Sequence, residues 1–107
     1  MAYLLATASS IHDPAKLEEY VRRVVPIIQS MGGSVLAVEE TPQVKDGKWD
    51  AVRTVLLSFP TVADANRFYH SPEYQQILPL RLKSTLGTLV LLRGLEEMAA
   101  PAGKKAE

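Results

Sequence analysis

The sequence contains no cysteine. Disulfides, thiolate nucleophiles and zinc–thiolate sites are therefore excluded, while the redox compartment stays open, because an absence fits either side of a membrane. Charge of one sign is lacking too: twelve Lys and Arg are balanced by twelve Asp and Glu. With no global field to gather polyanions, neither nucleic acid nor an anionic membrane is expected as a partner. Two histidines, His12 and His70, lie far apart in the sequence, so they make a poor ligand set and no metal is expected. Neither a phosphate-binding loop nor a dinucleotide fingerprint is present, and no cofactor is expected. No apolar run approaches the roughly 20 residues of a membrane span. The opening run, MAYLLATASS, has no basic flank and turns polar at Thr7, so it reads as a strand rather than an export signal. A cytoplasmic location is the expectation.

What is there is the balance of one soluble domain: 107 residues, 47% apolar and 22% charged. A first strand is expected over Tyr3 to Ser10. Asp13-Pro14 then starts a helix, with Asp13 as N-cap and Pro14 at the first position, where a missing N–H costs nothing. Leu17, Tyr20, Val21, Val24, Ile27, Ile28 and Met31 recur at spacings of three and four, the stripe of an amphipathic helix. Pro26 falls inside it and is expected to kink it. Gly32-Gly33 ends it, one of the two in the left-handed conformation. A second strand runs from Ser34 to Glu40, and Asp46-Gly47 marks the turn of an elaborated hairpin to a third, Val52 to Phe59. Trp49 is expected to cover the hairpin end.

Thr61 caps the next helix, with Asp64 three residues on, and Val62, Ala65, Phe68 and Tyr69 form its inner face. Ser71-Pro72 interrupts that helix and restarts it, because the residue before a proline is pushed out of helical geometry. Tyr74, Ile77, Leu78, Arg81 and Leu82 continue the spacing, with Pro79 expected to end or bend the segment. A fourth strand is predicted from Thr88 to Arg93. Residues 1–95 are read as the domain and residues 96–107 as a flexible C-terminal tail.

The order β-α-β-β-α-β is the ferredoxin-like pattern, an α+β fold with two helices on one face of a four-stranded antiparallel sheet. The strands do not alternate apolar with polar. Leu4-Leu5, Val55-Leu56-Leu57 and Leu89-Val90-Leu91-Leu92 place large aliphatic groups on both faces. Two helices cover only one of them. A monomer seldom leaves such a patch in water, and each buried Leu or Val contributes about 1.5–3 kcal/mol. A homodimer pairing its open sheet faces, a dimeric α/β barrel, is the expectation.

The chain resembles the domain-of-unknown-function family numbered 1330, a member of the dimeric α/β-barrel superfamily. Asp13-Pro14 with Tyr20, Gly32-Gly33, Trp49 with Arg53, Phe59-Pro60, Ala65, and above all Phe68-Tyr69-His70-Ser71-Pro72-Glu73-Tyr74-Gln75 with Arg81 carry the resemblance, over residues 2 to about 95. Phe68 stands where the family usually has Trp, and Ala51 where it has Pro. The resemblance implies a ferredoxin-like dimer and no established activity. Related barrel families include cofactor-free monooxygenases, isomerases and haem-degrading enzymes, which are analogies at the level of fold.

His70, at a helix break, is the candidate catalytic acid–base. Tyr20, Tyr69, Tyr74, Arg53 and Arg81 are the candidate ligand-binding residues. Each has a structural counterpart: a satisfied surface histidine, core aromatics with bonded hydroxyls, and for Arg53 an ion pair with Glu73 instead of an anion clamp. Ser71 beside His70 is explained as a cap. Two functions follow from different classes. One is a protein binding a small anionic or carbonyl-bearing ligand between sheet and helices, with cofactor-independent catalysis as an extension. The other is a non-catalytic homodimeric module in which the same residues only hold the fold.

Overall fold

The computed structural model describes residues 1–99. Its elements are β1 (Ala2–Ile11), α1 (Pro14–Ser30), β2 (Ser34–Glu39), β3 (Arg53–Phe59), α2 (Val62–His70), α3 (Pro72–Ser84), β4 (Thr85–Arg93) and α4 (Leu95–Ala99). The four strands form one antiparallel sheet in the order β2-β3-β1-β4. This is the expected ferredoxin-like α+β arrangement, with α2 and α3 replacing a single second helix.

Local chemistry sets most of the boundaries. The Asp13 carboxylate accepts the Lys16 N–H at 3.1 Å and Pro14 opens α1. Pro26 lies inside α1 but on its exposed side, where water can take up the carbonyl that loses its partner. Gly32 takes the left-handed turn at φ 85°. Gly33 is needed for a different reason: a Cβ there would stand 2.6 Å from the Phe59 ring. The Thr61 hydroxyl accepts the Asp64 N–H at 3.0 Å. Ser71 closes one helix and opens the next: its hydroxyl donates to the Phe68 carbonyl at 2.8 Å and accepts the Tyr74 N–H at 3.2 Å.

The end of α3 and the start of β4 depart most from the predicted boundaries. Pro79 does not end α3, which runs on to Ser84, because Pro79 also faces solvent. β4 begins at Thr85, three residues before the predicted Thr88. Its first residues pair with the end of β1, Ser10 with Leu86 and Ile11 with Thr85, across a bulge. The Ser84 carbonyl also accepts from His12 N at 2.9 Å. That pairing is tertiary and leaves no mark in the local pattern. Of the predicted tail, residues 96–99 lie in α4, where Glu96 accepts from the Met1 amine at 2.8 Å; residues 100–107 lie outside the described residues.

The core sits between the sheet and the helices. Ala2, Leu4, Leu57 and Phe59 meet Val24 and Ile28 of α1, Ala65 and Phe68 of α2, and Tyr74 and Ile77 of α3. Rings of Phe59, Phe68 and Tyr74 stack in series at 5.1 and 4.7 Å. The opposite sheet face carries Leu5 and Tyr3 of β1, Leu56 of β3, and Leu86, Val90 and Leu92 of β4, the last three 65%, 44% and 45% exposed. β2, at the sheet edge, is exposed along its whole length.

Candidate functional site

Between α1, α3 and the helix-facing side of the sheet lies a cavity of about 110 Å³. Its position follows from side-chain direction. On α1 the stripe Leu17, Tyr20, Val21, Val24 and Ile28 turns toward the sheet. On α3, Tyr74 and Arg81 stand two turns apart on the same face. On β3, Arg53, Val55 and Leu57 point to the helices, and Arg53 is in register with Ala8 of β1. Thr85 and Leu89 of β4 complete that end. Exposed Val35 and Val38 of the edge strand line it as well, so its mouth opens there.

Four candidate residues meet in this cavity: Tyr20, Tyr74, Arg53 and Arg81. The Tyr20 and Tyr74 hydroxyls are 2.9 Å apart, with their rings edge to face. Burial raises the Tyr20 pKa well above the ordinary phenol value; the neighbouring Tyr74 adds to this and the Arg81 charge opposes it. Tyr20 is thus a neutral hydroxyl, able to donate a hydrogen bond and unsuited to act as a base. Two hydroxyls carry two protons and their mutual bond uses one, so the pair retains a proton for an acceptor.

The two arginines differ. Arg53 donates to the exposed Glu40 carboxylate at 3.0 Å, with 20% of its own side chain exposed. The pairing with Glu73 expected from the sequence does not form: Glu73 sits exposed on the first turn of α3. The strand register brings Glu40 to Arg53 instead. Val38 pairs with Val55 and Glu39 with Thr54, so the next step along the hairpin places Glu40 beside Arg53. Arg81 is half-buried, belongs to no ion pair among the described residues, and its Nε is buried with no hydrogen-bond partner.

The other two candidates lie outside the cavity lining. Tyr69 is half-buried and packs its ring 5.5 Å from that of Tyr74. His70, the expected acid–base of the pocket, is exposed at the end of α2, its ring edge-on to Tyr69 at 5.2 Å. Phe68 points into the core, and two further residues turn the side chain by about 200° around a helix. His70 therefore faces away. Thr7 and Thr85 are polar lining residues that sequence reasoning missed; Thr85 lies in the part of β4 that only pairing with β1 defines. Trp49 is 47% exposed in the loop between β2 and β3. Among the described residues, no group of three or more His, Asp and Glu could hold a metal ion, and no helix is long and apolar enough to cross a membrane.

A family model, Domain of unknown function (DUF1330), matches residues 1–95. The chain belongs to the DUF1330 family. Within it the motif residues now have positions: Tyr20, Tyr74, Arg53 and Arg81 at one cavity, Ser71-Pro72 at the helix junction. No curated protein matches the chain at a significant level. Solved structures share the fold of this DUF1330 chain. A protein of unknown function from Rhodopseudomonas palustris superimposes with TM-score 0.68 at 18% identity, covering 88% of this chain and 82% of that one. A dimeric ferredoxin-like protein of unknown function from Jannaschia gives 0.72 at 12% identity, covering 87% and 98%. A cofactor-independent oxygenase from Streptomyces nogalater gives 0.61 at 10% identity, covering 87% and 90%. At these identities the likeness is one of fold.

Proposed function

We propose that this DUF1330 protein binds a small, mostly apolar organic molecule bearing an anionic or carbonyl group, in the cavity between α1, α3 and the sheet. The observation that carries the reading is the convergence of Arg81, Arg53 and the Tyr20–Tyr74 pair on an otherwise apolar cavity reached from the edge strand. Apolar walls with a few convergent polar groups are the form of a small-molecule site. A cavity of about 150 Å³ lined by apolar side chains accommodates benzene, so the smaller volume of about 110 Å³ suits a short branched chain, and a ring would extend into the mouth at Val35 and Val38. Any cofactor-independent turnover would use the same groups: the neutral tyrosine pair as proton donor and an arginine to hold negative charge on oxygen. His70, outside the cavity, has no role in this reading.

Thermal shift against a panel of one-ring phenols, ketones and acids tests it, with Val21→Phe as the filled-cavity control. A ligand that binds only the native state stabilises it by about 2.7 kcal/mol at a hundred times its Kd, several degrees in Tm for a domain of this size. A shift in the parent chain that disappears in Val21→Phe supports the reading. Equal shifts in both, or none with any compound, defeats it.

The open sheet face supports a second statement, that two copies pair through it as a homodimer. Leu86, Val90 and Leu92 of β4, with Leu5 and Leu56 beside them, form an apolar surface that the helices leave uncovered. The Jannaschia protein of the same fold is described as dimeric. Sedimentation equilibrium at micromolar concentration decides between this and a chain of 11.8 kDa moving alone.

A further inference from the structure

Resting on the cavity-binding reading above, we infer that the ligand class is a monocarboxylate with a compact apolar body, and that Arg81 rather than Arg53 supplies its counter-charge. Charge around the cavity is unbalanced. The fully charged groups lining it are two guanidinium groups, with no carboxylate among the lining side chains. Glu40 already neutralises Arg53 from outside the lining. Arg81 has no ion-pair partner among the described residues, and its Nε is buried without an acceptor. One cationic charge is therefore unmatched at an apolar wall, where a cation without its partner is costly.

The number of acceptors required also fits a carboxylate. Arg81 has unused N–H groups, and the Tyr20–Tyr74 pair retains one O–H proton. A single carboxylate offers two oxygens, one for each. Tyr74 and Arg81 stand on one face of α3, and the Arg81 charge is felt at the Tyr20 hydroxyl, so both donors serve the same region. A phosphate or sulfate dianion would leave one charge unmatched. An amine would meet Arg81 as a like charge. Val21, Val24, Val55 and Leu89 leave room for a ring or a branched alkyl group and offer it no polar contact.

The test compares acids with their own amides, which keep shape and a carbonyl acceptor but lose the charge: benzoate against benzamide, and 3-methylbutanoate against 3-methylbutanamide. Binding is read by titration of amide chemical shifts in the full chain, at low salt and neutral pH. Each acid is expected to bind about tenfold or more tightly than its amide, the size of a charge-assisted hydrogen bond. In Arg81→Gln the ratio should fall to near one, and in Arg53→Gln it should persist. Loss of the ratio in Arg53→Gln but not in Arg81→Gln overturns the assignment of the counter-charge. Equal binding of acid and amide by the parent chain overturns the carboxylate class while leaving the cavity reading intact. Binding of neither, with Val21→Phe also silent, removes both. Should Arg81→Gln fail to fold, Arg81→Lys keeps the charge without the fork and should keep acid preference; loss of preference there counts against the inference.

Discussion

Leu92→Asp is the most informative single change to the sheet. Leu92 is 45% exposed in the isolated chain, so about half of its side chain remains to be buried by a partner. Complete burial of a leucine is worth about 1.5–3 kcal/mol, so pairing would gain about 1 kcal/mol at this position. A two-fold interface counts the change in both copies, which makes about 2 kcal/mol of lost burial. By itself that weakens association roughly 30-fold. Two carboxylates brought into an apolar interface weaken it further, because a buried charge without a partner is not tolerated. The substitution should therefore convert a dimer to a monomer at micromolar concentration, read by sedimentation equilibrium. Folding of the separated chain should persist, since Leu92 lies on the face away from the core and takes no part in it. Glu73→Gln, on the exposed first turn of α3, is the control and should leave the mass unchanged. A variant that sediments at the same mass as the parent would refute the open face as the interface.

Ser71→Ala removes a side chain that serves two helices; the Phe68 carbonyl keeps the Ser71 N–H, but the Tyr74 N–H loses its acceptor. A loss of about 1–2 kcal/mol in urea unfolding is expected, and a loss near zero would count against the junction as a cap. Tyr20 holds its proton more tightly folded than unfolded, so the stability it contributes is present below pH 10 and is lost as pH rises beyond it. Stability should fall by about 1.4 kcal/mol per pH unit above pH 10 from this group, and less steeply in Tyr20→Phe. Glu40→Gln frees the Arg53 guanidinium and should change stability by less than about 0.5 kcal/mol, because Glu40 is exposed. It should also raise affinity for benzoate, and unchanged affinity in the same titration would place Arg53 out of reach of the ligand.

Element order, both helix caps at Thr61 and Ser71 and the left-handed glycine were all readable from the sequence, because each rests on contacts within a few residues. The same holds for the two-faced sheet, which follows from consecutive apolar residues whose side chains point to opposite faces of a strand. The extent of α3 beyond Pro79 was not readable: whether a proline breaks a helix depends on whether its side faces solvent or core. The start of β4 was not readable either, since Thr85 and Leu86 are strand only through their partners Ile11 and Ser10.

The candidate site divides in the same way. Residue types marked Tyr20, Arg53, Tyr69, His70, Tyr74 and Arg81 as groups with chemistry to offer, and helical spacing put Tyr74 and Arg81 on one face. Only the packed structure sorted them. It joined Tyr20 to Tyr74 across two helices, matched Arg53 with Glu40 through the strand register, left the buried Arg81 Nε without an acceptor and turned His70 to solvent. The sequence by itself determined what is local: caps, turns, periodicities and the supply of polar groups. Tertiary structure decided which of those groups share a cavity and which charge among them is unmatched, because those are relations between side chains distant in the chain and close in space.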